Sequence, residues 1–71
     1  MTWSVNLSTV GEDKRYHPGP VVSGESADVS GALEEARKVK GAFGRIDRHG
    51  YRIHYRVSVA DGQREVANLG L

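Results

Sequence analysis

The residues with the most chemistry to offer lie at positions 45–56, where R-I-D-R-H-G-Y-R-I-H-Y-R interleaves cations with aromatic rings. Arg45, Arg48, Arg52 and Arg56 carry planar guanidinium groups that suit paired hydrogen bonds to phosphate oxygens. Tyr51 and Tyr55 add ring faces on which a base can stack. His54 contributes an imidazole, the side chain most used for proton transfer. Arg45, Arg48, Arg52, His54 and Arg56 are therefore the candidate binding residues, and a basic β-ribbon built from them would meet a phosphate backbone. The same stretch also reads as a solvated strand face. Alternation sets Tyr51, Ile53, Tyr55, Val57 and Val59 on one side and Arg52, His54, Arg56 and Ser58 on the other, so the tyrosines would pack inward, away from the arginines.

The rest of the chain offers less. His17 lies in a Pro-rich segment, His49 in a turn and His54 in mid-strand, and their spacing matches no metal-ligand pattern. With no cysteine, disulfides and thiolate metal sites are excluded. The serines stand in no nucleophile elbow. Gly41 and Gly44 form a G-x-x-G that follows a helix, whereas a phosphate-cradling loop leads from a strand into one. No cofactor, no metal and no catalytic set are expected.

Charge is unevenly placed along a chain of 71 residues with net charge +1. Residues 1–36 hold two basic against six acidic residues, and residues 37–71 hold eight against three. Between Arg37 and Arg56, seven cations face Asp47 alone. Such a division favours head-to-tail or antiparallel self-association as well as an anionic partner.

These side chains need elements to position them. Trp3, Val5 and Leu7 alternate with polar residues over positions 2–9, the pattern of a half-buried strand. Residues 11–26 are rich in Gly, Pro, Ser and charge, and His17-Pro18-Gly19-Pro20 lacks two amide donors, so an exposed loop is expected there, with a short edge strand after a turn at 11–14 as the alternative. Val29, Leu33, Ala36 and Val39 recur at helical spacing, which predicts a helix over 27–40 capped by Ser26 or Ser30 and ended by Gly41. A hairpin follows, with residues 43–47 and 51–60 joined by Asp47-Arg48-His49-Gly50. Asp61-Gly62 then turns the chain into a last strand over 64–71, in one of two registers. A two-residue loop sets Val66 opposite Val57, and a three-residue loop brings Ala67 and Leu69 onto the apolar face.

The order β-loop-α-β-β-β gives an α+β fold, one helix on a three- to four-stranded antiparallel sheet, folding as a single domain over 1–71. Trp3, Leu33, Phe43, Tyr55 and Val57 should meet in its core. The chain's opening residues carry no basic leader or apolar run, and no stretch approaches the roughly 20 apolar residues of a membrane span, so a cytoplasmic protein with no membrane partner is expected.

From Lys40 to Leu71, through the run K-G-A-F-G-R-I-D-R-H-G-Y-R-I-H-Y-R-V, the chain resembles the C-terminal half of the RelE/ParE toxin superfamily, in which a basic glycine-bearing strand precedes a Y-R-I-x-Y-x-V strand. The resemblance covers under half of the chain, and the paired long helices of that family have no counterpart in the N-terminal part. It implies a small ribonuclease with Arg45 and Arg52 on phosphate and His54 moving a proton. Without a catalytic signature beyond it, the residues favour a small non-enzymatic binding or accessory module acting on a protein partner, or on a second copy of itself, through the sheet face or the long loop. Nucleic-acid binding through strand 45–56 and a toxin-like ribonuclease are the alternatives.

Overall fold

The computed structural model describes all residues from Met1 to Leu71. Five elements follow one another: β1 (Thr2–Val10), β2 (Tyr16–Glu25), α1 (Val29–Phe43), β3 (Arg52–Asp61) and β4 (Arg64–Gly70). The four strands form one antiparallel sheet in the order β2-β1-β3-β4, and α1 lies across β1 and β3. This is the expected α+β arrangement of one helix on an antiparallel sheet. The connection between β1 and β3 carries β2 and the helix, so the two central strands are far apart in sequence.

The core sits between α1 and the two central strands. Trp3, Val5 and Leu7 of β1 and Tyr55, Val57 and Val59 of β3 alternate inward and are buried, and Ala32 and Ala36 close the helix against them. Small residues at the helix contact let the backbone approach the sheet closely, while Val29, Leu33 and Val39 fill the flanks. Phe43, expected in the core, is instead 45% exposed. It occupies the last position of α1, past the edge of the sheet's buried centre.

Several local readings need correction. Residues 11–26 are not a loop throughout: the alternative holds, and after a turn in which Lys14 N–H bonds Gly11 O (3.1 Å) they form the edge strand β2, ten residues long rather than short. Pro18 and Pro20 are tolerated because one side of an edge strand faces no neighbour, and the ladder to β1 slips between Asn6 and Ser8 where they enter. The segment is nevertheless mostly exposed. The helix is capped by Asp28, whose carboxylate accepts from Gly31 N–H at 2.8 Å, rather than by Ser26 or Ser30. It passes through Gly41 and ends at Gly44, whose φ of 84° supplies the left-handed turn that favours glycine.

Residues 43–47 do not form a strand. Only a single bridge between Ile46 and Arg52 remains of that hairpin, although the Asp47–Gly50 turn forms as expected, with Gly50 N–H on Asp47 O at 3.1 Å. The helix consumes residues as far as Phe43, leaving too few for a ladder. At the last hairpin the expected pairing of Val66 with Val57 does not form, although the two-residue loop does, and Ala67 and Leu69 reach the apolar face as the other register required. The loop has two residues, since Asp61 faces Arg64. The ladder then shifts: Ala60 faces Glu65 but Val59 faces Ala67, so Val66 is an extra residue on β4, and Leu69 comes opposite Val57. This bulge moves Ala67 and Leu69 to the helix face, which an unbroken two-residue hairpin would have turned to solvent.

Candidate anion-binding cleft

The face of the sheet opposite the helix carries Ser4, Asn6 and Ser8 from β1 and Arg52, His54, Arg56 and Ser58 from β3, by the strict alternation of the two ladders. No helix covers it. Across β1 from His54 stands Tyr16 of β2, 64% exposed, its ring meeting the imidazole edge-on with centroids 5.2 Å apart and planes at 68°.

The outer side of β3 is incompletely paired, and this opens the sheet edge. Pairing with β4 ends where Arg56 meets Gly70. Beyond it, Leu71 N–H reaches Tyr55 O at 3.1 Å, and Ile53 N–H reaches Arg45 O at 2.8 Å. Between these two anchors lies an open concavity of about 760 Å³ that joins the polar sheet face to the C-terminal end of α1. Lys40, Arg45, Arg52, His54 and Arg56 line it together with Tyr16, Ser8 and Tyr55. Arg37, Lys40 and Arg45 continue the basic surface around the helix end.

No Asp or Glu side chain lines this concavity. None of Lys40, Arg45, Arg52 and Arg56 forms a salt bridge. Arg56 Nε donates to Asn68 Oδ1 at 2.7 Å, which holds the guanidinium over the sheet without neutralising it. Lys40 is held above the Tyr55 ring, 6.0 Å from its centroid, at the outer limit of a cation–π contact. The buried Tyr55 hydroxyl donates to Gly44 O, with Lys40 O 3.5 Å away. One phenol thus ties the helix end to β3 and fixes where Lys40 and Arg45 sit, and desolvation holds its pKa above the usual tyrosine value.

Of the five residues singled out from the sequence, Arg45, Arg52, His54 and Arg56 share the concavity. Arg48 does not. It lies in the 47–50 turn and borders a different groove, beside Phe43, Ile46 and Pro18. Three contributors were missed. Arg37 and Lys40 are three apart on one helix face, a spacing that was readable, but their approach to β3 depends on the helix continuing to Phe43. Tyr16 comes from a strand that the prolines disguised.

The histidine and aspartate placements also differ from expectation. Asp13, His17, Asp47 and His49, together with Glu12 and Tyr51, border one concavity, which brings two distant turns to the same end of the sheet. His17 Nε2 lies 2.9 Å from Asp13 Oδ2, while Asp13 Oδ1 accepts Arg15 N–H at 3.0 Å. Asp47 Oδ1 accepts both Tyr51 N–H at 2.9 Å and His49 N–H at 2.8 Å. Backbone donation from Arg15 lowers the Asp13 pKa, and backbone donation from Tyr51 lowers that of Asp47. No group of three or more His, Asp or Glu side chains here has the arrangement to hold a metal ion. These carboxylates clip turns.

No family model, curated protein or solved structure matches this chain. The likeness of residues 40–71 to the RelE/ParE toxins therefore rests on strand composition alone.

Proposed function

We propose that this protein is a small non-enzymatic binding module that holds a single-stranded nucleic acid in the basic cleft at the β3 edge. The observation that carries the reading is the set Lys40, Arg45, Arg52 and Arg56, four cations in one concavity with no Asp or Glu side chain among them and none in a salt bridge. Like charges gathered on a surface repel, and an arrangement without internal counter-charges is stabilised by a polyanion that supplies several phosphates at once. Tyr16 supports a single strand in particular. Its ring is open to solvent and stands at the rim of the cleft beside His54, where an unpaired base can stack while neighbouring phosphates reach the arginines.

His54 makes no side-chain hydrogen bond, and no Asp or Glu side chain stands in the cleft beside it; its neighbour is the Tyr16 ring. An imidazole oriented only by an edge-on ring supports contact with the strand better than a positioned proton transfer. The test is binding of a fluorescently labelled mixed-sequence RNA or DNA oligonucleotide to Arg52→Glu/Arg56→Glu. The double variant should lose at least about 100-fold in affinity, since two phosphate contacts become repulsions. Equal affinity in a variant that folds normally would refute the site.

A second reading, a protein partner, is favoured by one observation. Phe43 is 45% and Ile46 62% exposed, and both border a groove floored by Leu7 and Ile53 and walled by Pro18 and Pro20. This lies on the helix side of the sheet, away from Tyr16 and Arg52, so the two readings predict separable effects: Phe43→Ser should weaken a protein complex and leave oligonucleotide affinity unchanged.

A further inference from the structure

The two edges of the sheet are built differently. The β2 edge carries Pro18 and Pro20 and a slipped ladder, devices that make an edge a poor template for another strand. The β4 edge, Arg64–Gly70, has no proline and has β3 as its one neighbour. Its bulge at Val66 lies toward the hairpin loop, and from Ala67 onward the ladder is regular. Amide direction alternates along an antiparallel strand. Leu71 N–H points to β3, and so Asn68 and Gly70 direct their amides and carbonyls outward. Val66 and Leu69 on this strand are 39% and 37% exposed. The helix packs on β1 and β3, leaving the outer strand thinly covered. Eight buried residues in a chain of 71 make a small core, and domains of this size commonly gain stability by association.

We propose that β4 pairs antiparallel with β4 of a second copy of this chain, forming a continuous eight-stranded sheet. A two-fold axis normal to the sheet sets one residue opposite its own copy; with Asn68 as that residue, its outward amide and carbonyl make a hydrogen-bonded pair with the copy. This register places Ala67 of each chain opposite Leu69 of the other on the helix face, an apolar pair, with the bulge residue Val66 opposite Gly70 at the margin of the paired segment. Shifting the axis to Ala67 would set Leu69 against Glu65 instead, a poorer match. The assembly closes at two copies because the edges that remain are the proline-bearing β2 strands, whereas an open pair of equivalent edges would extend into fibres. Both polar faces come to lie on one side. Gly70 and Leu71 border the basic cleft, so the two clefts flank the shared strands. The dimer stands independently of what those clefts hold.

Two measurements test it. In sedimentation of the unmodified protein from micromolar to millimolar concentration, the mass should rise to twice the 7.8 kDa of one chain. In a chain without cysteine, Asn68→Cys should form a disulfide-linked dimer on mild oxidation, since directly opposed residues in a hydrogen-bonded pair have Cα atoms about 5.5 Å apart, inside disulfide range. Ser23→Cys on the β2 edge is the control and should cross-link at least about tenfold more slowly. A monomer throughout the concentration range would overturn the proposal. Cross-linking of Ser23→Cys as fast as that of Asn68→Cys would overturn it equally.

Discussion

Two concavities at the same end of this sheet handle charge in opposite ways. In one, Asp13 and Asp47 each accept two hydrogen bonds from their own turn, including three backbone amides in all, and His17 is paired with Asp13. In the other, Lys40, Arg45, Arg52 and Arg56 converge with no acidic side chain between them. The difference separates charge satisfied within its own turn from charge left without a counter-charge. Local carboxylates whose partners lie two to four residues away explain themselves as turn clips. Cations drawn from the helix end, the following segment and β3, with no counter-charge among their neighbours, do not.

The comparison predicts that substitutions at the two places move different observables. Tyr16→Ala should weaken oligonucleotide binding by about 5- to 100-fold, the range for loss of one stacked base, and leave the melting temperature nearly unchanged because the ring is exposed; fluorescence anisotropy and a melt monitored at the buried Trp3, the one tryptophan of the chain, read the two effects. Asp47→Ala should do the reverse, lowering the melting temperature by releasing Tyr51 and His49 amides while affinity stays within about twofold. A melt of the variant as stable as the parent protein would mean that the 47–50 turn does not depend on its carboxylate.

The pH dependence sharpens the same contrast. Asp13 and Asp47 have folded-state pKa values below the usual carboxylate value, so their contribution to stability is fully present above about pH 4 and is lost as pH falls through the lowered values. Melting curves across this range should show stability falling on the acid side, and Asp13→Asn/Asp47→Asn should flatten that fall. An identical acid limb in the double variant would remove these two groups from the account. The smallest effect is expected at Gly41, which lies in the exposed last part of α1, where a β-carbon would meet no atom within 4 Å. Gly41→Ala should stabilise by about 0.5–1 kcal/mol and leave binding untouched.

Much of this architecture was legible in the residues, and the failures share a cause. The alternation in β1 and β3 and the stripe on α1 were strong enough to read, because each element buries one face on the core and periodicity records burial directly. β2 was legible only as the alternative to a loop, because Pro18 and Pro20 forbid a central strand and confine any strand here to an edge, but nothing local tells that the strand runs the full length of Tyr16–Glu25. The bulge on the β3–β4 ladder was equally silent, since it is selected by where Ala67 and Leu69 must point rather than by the turn residues. For the site, Arg52, His54 and Arg56 followed from alternation within one strand, whereas Arg48 turned away with its loop and Lys40 and Tyr16 arrived by tertiary packing.

The most direct measurement is the affinity of the unmodified protein for a labelled single-stranded oligonucleotide across a series of salt concentrations. Three to four phosphate contacts made by Lys40, Arg45, Arg52 and Arg56 predict that the logarithm of the affinity falls linearly with the logarithm of salt, with a slope of about −2 to −3. No binding at low salt, or binding indifferent to salt, would contradict the assignment of the cleft to a nucleic-acid strand.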